Sequence, residues 1–75
     1  GYNLKHLLLV GWNEVSAEFY DKVGSNRNLG YDFVGYLSHS KVNTAGRKIA
    51  YAGGFGTLPS LLEKKGIDEV IISLD

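Results

Sequence analysis

The residues best placed for ligand chemistry lie in Gly11-Trp12-Asn13-Glu14-Val15-Ser16. The segment follows the apolar run Lys5-His6-Leu7-Leu8-Leu9-Val10 and opens an amphipathic stretch. At such a junction a glycine and the first N–H groups of a helix can hold an anion. Against the phosphate-binding template G-x-G-x-x-G, only the first glycine, Gly11, is kept. Asn13 stands where backbone should approach a pyrophosphate, and Ser16 where close packing wants Gly or Ala. Asn tolerates left-handed backbone and Ser is small, so the turn itself is expected to survive. Glu14 would repel a phosphate. Two readings are open here: a nucleotide cradle, or a tight turn followed by a capped helix.

The second candidate is Ser38-His39-Ser40, where a dinucleotide site would place an acidic residue for a ribose hydroxyl. Ser38 offers a hydroxyl instead, and His39 reads as a solvated loop histidine. His6 reads as a partly exposed strand residue. Trp12 is either a platform for a base or a ring covering the end of the sheet. Gly53-Gly54-Phe55-Gly56 lacks the Lys-Ser/Thr ending of a phosphate loop and reads as a connection. Two histidines, scattered serines and no cysteine give no nucleophile–base pair, so the chain by itself reads as non-catalytic. Glu14, Glu18 and Asp21 share a helix, where exposed carboxylates ordinarily serve solubility.

These residues need a scaffold, and the punctuation supplies one. Leu7 to Val10 suits a strand buried on both faces, closed by Gly11. Asn13 to Val23 carries the helical stripe Val15, Phe19, Val23 with Ala17 and Tyr20 beside it. Asn13 is its cap, Glu14 favours its first turn, and Gly24 is expected to end it. After a polar turn from Ser25 to Gly30, Asp32–Leu37 reads as a second strand. Ser38–Lys48 shows no pattern, and Ile49–Ala52 reads as a short third strand. Tyr31, Tyr36 and Tyr51 read as strand aromatics. Thr57 is expected to cap a second helix with Pro59 in its first turn, the stripe Leu58, Leu61 and Leu62, and Lys64 and Lys65 before Gly66. Glu69–Leu74 is the last strand.

The order β-α-β-β-α-β with short glycine turns predicts an α/β fold. It is a Rossmann-like half: a parallel four-stranded sheet in the order 3-2-1-4 with one helix on each face. The open edge of the last strand predicts self-association, a homodimer, through that edge or the nearby helix faces.

Seventy-five residues make one domain with little margin, since a chain this small buries only about 60% of its surface. Eight basic residues balance eight acidic ones, which argues against a nucleic-acid partner. The absence of cysteine excludes a disulfide framework and a thiolate zinc site, and two distant histidines make a structural metal an unlooked-for feature. The longest apolar run falls far short of the roughly 20 residues of a membrane helix. The start shows neither a basic region nor a long apolar one of the secretory kind. Methionine is absent even from position 1, so residues 1–75 are read as a single domain excised from a larger protein.

Leu9-Val10-Gly11-Trp12-Asn13, Asn28-Leu29-Gly30-Tyr31-Asp32-Phe33-Val34-Gly35-Tyr36-Leu37, Gly56-Thr57-Leu58-Pro59-Ser60-Leu61-Leu62 and Gly66-Ile67-Asp68-Glu69-Val70-Ile71-Ile72 follow one another in a familiar order. From about Lys5 to Asp75 the chain resembles the CoA-binding-like, Rossmann-type domain of bacterial polyprenyl glycosylphosphotransferases. The resemblance implies a parent with membrane helices before this domain and a sugar transferase domain after it. Such parents move a sugar phosphate from a UDP-sugar to undecaprenyl phosphate, starting capsule or exopolysaccharide synthesis. It further implies a cytoplasmic domain of an inner-membrane protein.

Similar segments precede nucleotide-sugar dehydratase and hexapeptide acyltransferase domains, and in some of those relatives the pocket holds a UDP-sugar. Carried onto this chain, the ligand-binding positions are Gly11, Trp12, Asn13 and Ser38. Ser38-His39-Ser40 departs from the acidic residues of those families. The expectation is therefore no tight NAD binding, and at most weak binding of a nucleotide or UDP-sugar. The alternative is a structural or dimerisation module that has lost its ligand.

Overall fold

The computed structural model describes residues 4–26, 30–64 and 66–74. Lys65, Asp75 and the 27–29 part of the expected polar turn lie outside them. The chain runs β1 (Lys5–Val10), α1 (Glu14–Gly24), β2 (Tyr31–Leu37), β3 (Tyr51–Gly53), a 3-10 turn (Phe55–Thr57), α2 (Leu58–Lys64) and β4 (Glu69–Ile72). The four strands pair in parallel in the order β3-β2-β1-β4. This is the α/β, Rossmann-like half that the apolar runs predict.

β1 is central because it is the most apolar strand: Leu7, Leu8 and Leu9 are almost wholly buried and Val10 nearly so. Alternation sends Leu8 and Val10 to one face and Leu7 and Leu9 to the other. Leu8 and Val10 join Leu37 in a core covered by Leu58 and Leu61 of α2, with Phe55, Ile67 and Val70 around it. On the α1 face, Phe19 and Tyr20 meet Phe33, with ring centroids 6.1 and 4.9 Å apart.

Pairing passes from Leu7↔Phe33 to Leu8↔Gly35, so Val34 is an extra residue, a bulge rarely seen between parallel strands. It shifts the phase of β2 and lets Phe33 and Tyr36, three residues apart, serve the same face. Tyr36 then touches Trp12 and Tyr51. Gly35 lies beside β3 with no room for a side chain. A Cβ there would fall 2.7 Å from the Ala50 carbonyl oxygen, to which the Tyr36 N–H donates.

Several local expectations are corrected. Val15 is 66% exposed; the inward stripe is Ser16 and Val23, buried, with Phe19 and Tyr20 half-buried beside them, because the Ser16 hydroxyl is tied to Asn13 and turns its side of the helix inward. Gly24 stays helical, and Ser25 caps the end in right-handed backbone that needs no glycine. Thr57 does not cap α2: it ends the 3-10 turn, and its hydroxyl donates back to the Gly54 carbonyl at 2.6 Å. Leu62 is exposed rather than part of the α2 stripe. The third strand is Tyr51–Gly53 rather than Ile49–Ala52, and the last ends at Ile72 rather than Leu74.

In place of a crossover helix, a strap from Ser38 to Ala50 links β2 to β3. Tyr36 Oη donates to the Val42 carbonyl and accepts from the Val42 N–H. Arg47 forms two hydrogen bonds, of 2.8 and 2.7 Å, to the Asp21 carboxylate on α1. These bonds hold the Asp21 carboxyl below its ordinary range. The strap reverses at Thr44–Arg47, where Ala45 and Gly46 both have positive φ, 55° and 82°. A side chain at the first of these is strained.

Two substitutions test this reading. Gly35→Ala should cost about 1–3 kcal/mol in urea unfolding. Ala45→Gly should gain up to about 1 kcal/mol, as relieved strain exceeds the added freedom of the unfolded chain.

At the opposite end of the sheet, Asp68 accepts the His6 N–H at 2.7 Å and approaches His6 Nδ1 at 3.4 Å. The backbone bond lowers the Asp68 pKa from 3.8. A lowered carboxylate pKa stabilises the fold above its unfolded value, and that contribution disappears as pH falls through the folded value. Asp68→Asn should therefore flatten the loss of stability below about pH 4, read from urea midpoints across an acid series.

Candidate functional site

The candidate site lies at the carboxyl ends of β1 and β4, where the chain's strand order reverses. Gly11 leaves β1 with φ 97°. Its N–H donates to the Leu37 carbonyl of β2 at 2.8 Å, while the Ser73 N–H donates to the Val10 carbonyl at 2.9 Å. A Cβ on Gly11 would collide with the Ser73 carbonyl oxygen. Gly11 thus serves close approach between two strand ends, with the α-carbon packed against protein rather than open to a ligand.

Asn13 caps α1 in extended backbone. Its Oδ1 accepts from the Val15 N–H at 2.9 Å and the Ser16 N–H at 3.2 Å. The Ser16 hydroxyl accepts the Asn13 N–H at 2.7 Å, completing a capping box. The same carboxamide reaches β4: Asn13 Nδ2 donates to the Ser73 carbonyl at 2.6 Å, and Ser73 Oγ donates to Asn13 Oδ1 at 2.8 Å. One side chain therefore closes the helix start and stitches it to the last strand. The N–H groups of Asn13, Val15 and Ser16 and the Asn13 amide, donors that a pyrophosphate could use, are thus engaged within the protein.

Above this stitched floor is a crevice of about 430 Å³. All four sequence-predicted positions line it: Gly11, Trp12 and Asn13 from the turn after β1, and Ser38 from the end of β2. Ser38 is buried, and its hydroxyl donates to the Ser40 carbonyl rather than outward. Trp12 packs against Tyr36 at 5.3 Å and Tyr20 at 6.4 Å, so its ring closes the end of the sheet on the α1 side while bordering the crevice.

Sequence reasoning missed two further parts. His39 and Phe55 also border the crevice and meet edge to face at 5.0 Å. By sequence, Phe55 reads as part of a connection. A large ring flanked by Gly54 and Gly56 was the available signal, because such a turn has no sequence neighbour to pack on. Leu74, 60% exposed, completes the border beside Ser73. Among the described residues, His39 is its only titratable lining residue, and its imidazole makes no hydrogen bond with them.

Among the described residues, no three His, Cys, Asp or Glu side chains group in a way that could hold a metal, and no helix is long and apolar enough to cross a membrane. Comparison with family models, curated proteins and solved structures returned no match to this chain.

The double duty of Asn13 is separable by mutation. Asn13→Ala should lose the cap and the Ser73 stitch together, costing about 2–3 kcal/mol. Asn13→Asp keeps the cap acceptors but sets a carboxylate oxygen against the Ser73 carbonyl in place of the donated bond, so its urea midpoint should fall below wild type although the cap is retained.

Proposed function

We propose that this is a non-catalytic ligand-holding domain whose crevice binds a nucleotide-sugar weakly. The observation carrying this reading is the crevice at the topological switch point, bordered by aromatic rings and a few polar groups; small-molecule sites on open parallel sheets are placed there. The volume suits a small organic ligand.

The resemblance to polyprenyl glycosylphosphotransferases supplies the rest of the proposal. In that setting the domain is a cytoplasmic part of an inner-membrane sugar-phosphate transferase, between membrane helices and the transferase domain. It would sense or retain a UDP-sugar while the parent starts polysaccharide synthesis on undecaprenyl phosphate. Nucleotide-sugar dehydratases and hexapeptide acyltransferases are the alternative parents.

A second reading, an assembly module, is favoured by one observation. Beyond β1, β4 has no described strand on its other side, and Ile72 and Leu74 are 68% and 60% exposed. A homodimer formed there would cover both. Sedimentation distinguishes this reading: a clean monomer at high concentration removes it.

Calorimetric titration tests the main reading. UDP-sugars should bind with dissociation constants of about 0.1–1 mM, and NAD more weakly still, because first-turn donors are engaged by Asn13. Submillimolar NAD binding that Asn13→Ala abolishes would overturn this order of preference.

A further inference from the structure

We propose that the crevice recognises the nucleoside ring of its ligand and not the phosphates. The inference rests on the ligand-holding reading and specifies which part of the ligand carries affinity.

The charge around the crevice points this way. Among the described residues, no Lys or Arg borders it. The N–H groups of Val15 and Ser16 go to Asn13 Oδ1, so the first turn of α1 is already supplied with an acceptor. That acceptor is shared with the Ser73 hydroxyl, and the Ser73 carbonyl takes the Asn13 amide. Glu14 adds an exposed carboxylate to the same turn. A diphosphate entering here would meet several donors already engaged and a like charge, with no cation among the described lining residues to offset its lost hydration.

The rings point to what does bind. Phe55 is anchored on one side by the core of Leu8, Val10 and Leu37, and borders the crevice on the other. His39 stands perpendicular to it and makes no hydrogen bond to the described residues. Trp12 is held by Tyr36 and Tyr20. Aromatic side chains fixed by packing offer stacking surface for a heterocycle, and stacking needs no charge. His39 supplies a hydrogen-bonding edge beside that surface. In this site the phosphates of a nucleotide-sugar extend toward solvent.

The test compares uridine, UDP-glucose and inorganic pyrophosphate by calorimetry and by amide chemical shifts, each at low and high salt. Uridine and UDP-glucose should bind within about threefold of one another, without salt dependence, and pyrophosphate should neither bind nor compete. Phe55→Leu keeps apolar volume in the core and should weaken uridine binding about tenfold, the loss expected of one stacking ring. His39→Ala, at an exposed position, should also weaken uridine binding at unchanged thermal stability. Binding of UDP-glucose with uridine at least tenfold weaker, or competition by pyrophosphate, overturns the inference and leaves the ligand-holding reading intact. Failure of both uridine and UDP-glucose to bind the folded protein overturns that reading, and the inference with it.

Discussion

The fold depends on a single carboxamide doing three jobs. Asn13 accepts two N–H groups at the start of α1, receives the Ser73 hydroxyl and donates to the Ser73 carbonyl. A small sheet with an 11-residue helix has little burial to spare. Fixing the helix start and the exit of β4 with the same group means that the β1–α1 turn, the helix direction and the edge strand are set together. The glycine next to it makes this geometry accessible, since Gly11 lets the Ser73 backbone come close.

That economy has a chemical side. The strand–turn–helix junction is ordinarily attractive to phosphate because its N–H groups point outward unsatisfied. Here the protein supplies its own neutral acceptor. The crevice lies at the sheet end where open parallel sheets place ligands, but its first-turn N–H groups face a carboxamide, and three rings, Trp12, His39 and Phe55, share its border. Trp12 belongs to this change: its ring continues a contact series through Tyr36 to Tyr51, and so contributes to the sheet end as well as to the crevice.

Strand order and the placement of Gly11, Trp12, Asn13 and Ser38 around one crevice were legible in the sequence, because apolar runs and glycine stops are local signals. The cap at Asn13 was legible for the same reason. What escaped were long-range facts. The engagement of the Asn13 amide by Ser73 joins residues 60 positions apart. The bulge at Val34 leaves no compositional mark, yet it decides which face Tyr36 serves. Val15 fitted the helical stripe as well as Ser16 did, and only the tie between Ser16 and Asn13 chooses between them. Phe55 lay among glycines, where periodicity carries no information.

The central position of β1 also governs how the molecule can be made. One neighbour, β2, begins at Tyr31; the other, β4, pairs from Glu69 onward. Closing that second pairing joins residues 62 apart, so most of the described chain must be present before β1 has both partners. Contacts of such separation incur loop-closure entropy before they return any burial. During synthesis the nascent β1–α1–β2 unit would emerge with one side of its most hydrophobic strand still unpaired, and native closure would wait for the segment that carries Ser73. The order of synthesis thus makes the stitch at Asn13 one of the last contacts to form, a seal on a fold otherwise assembled from its N-terminal side.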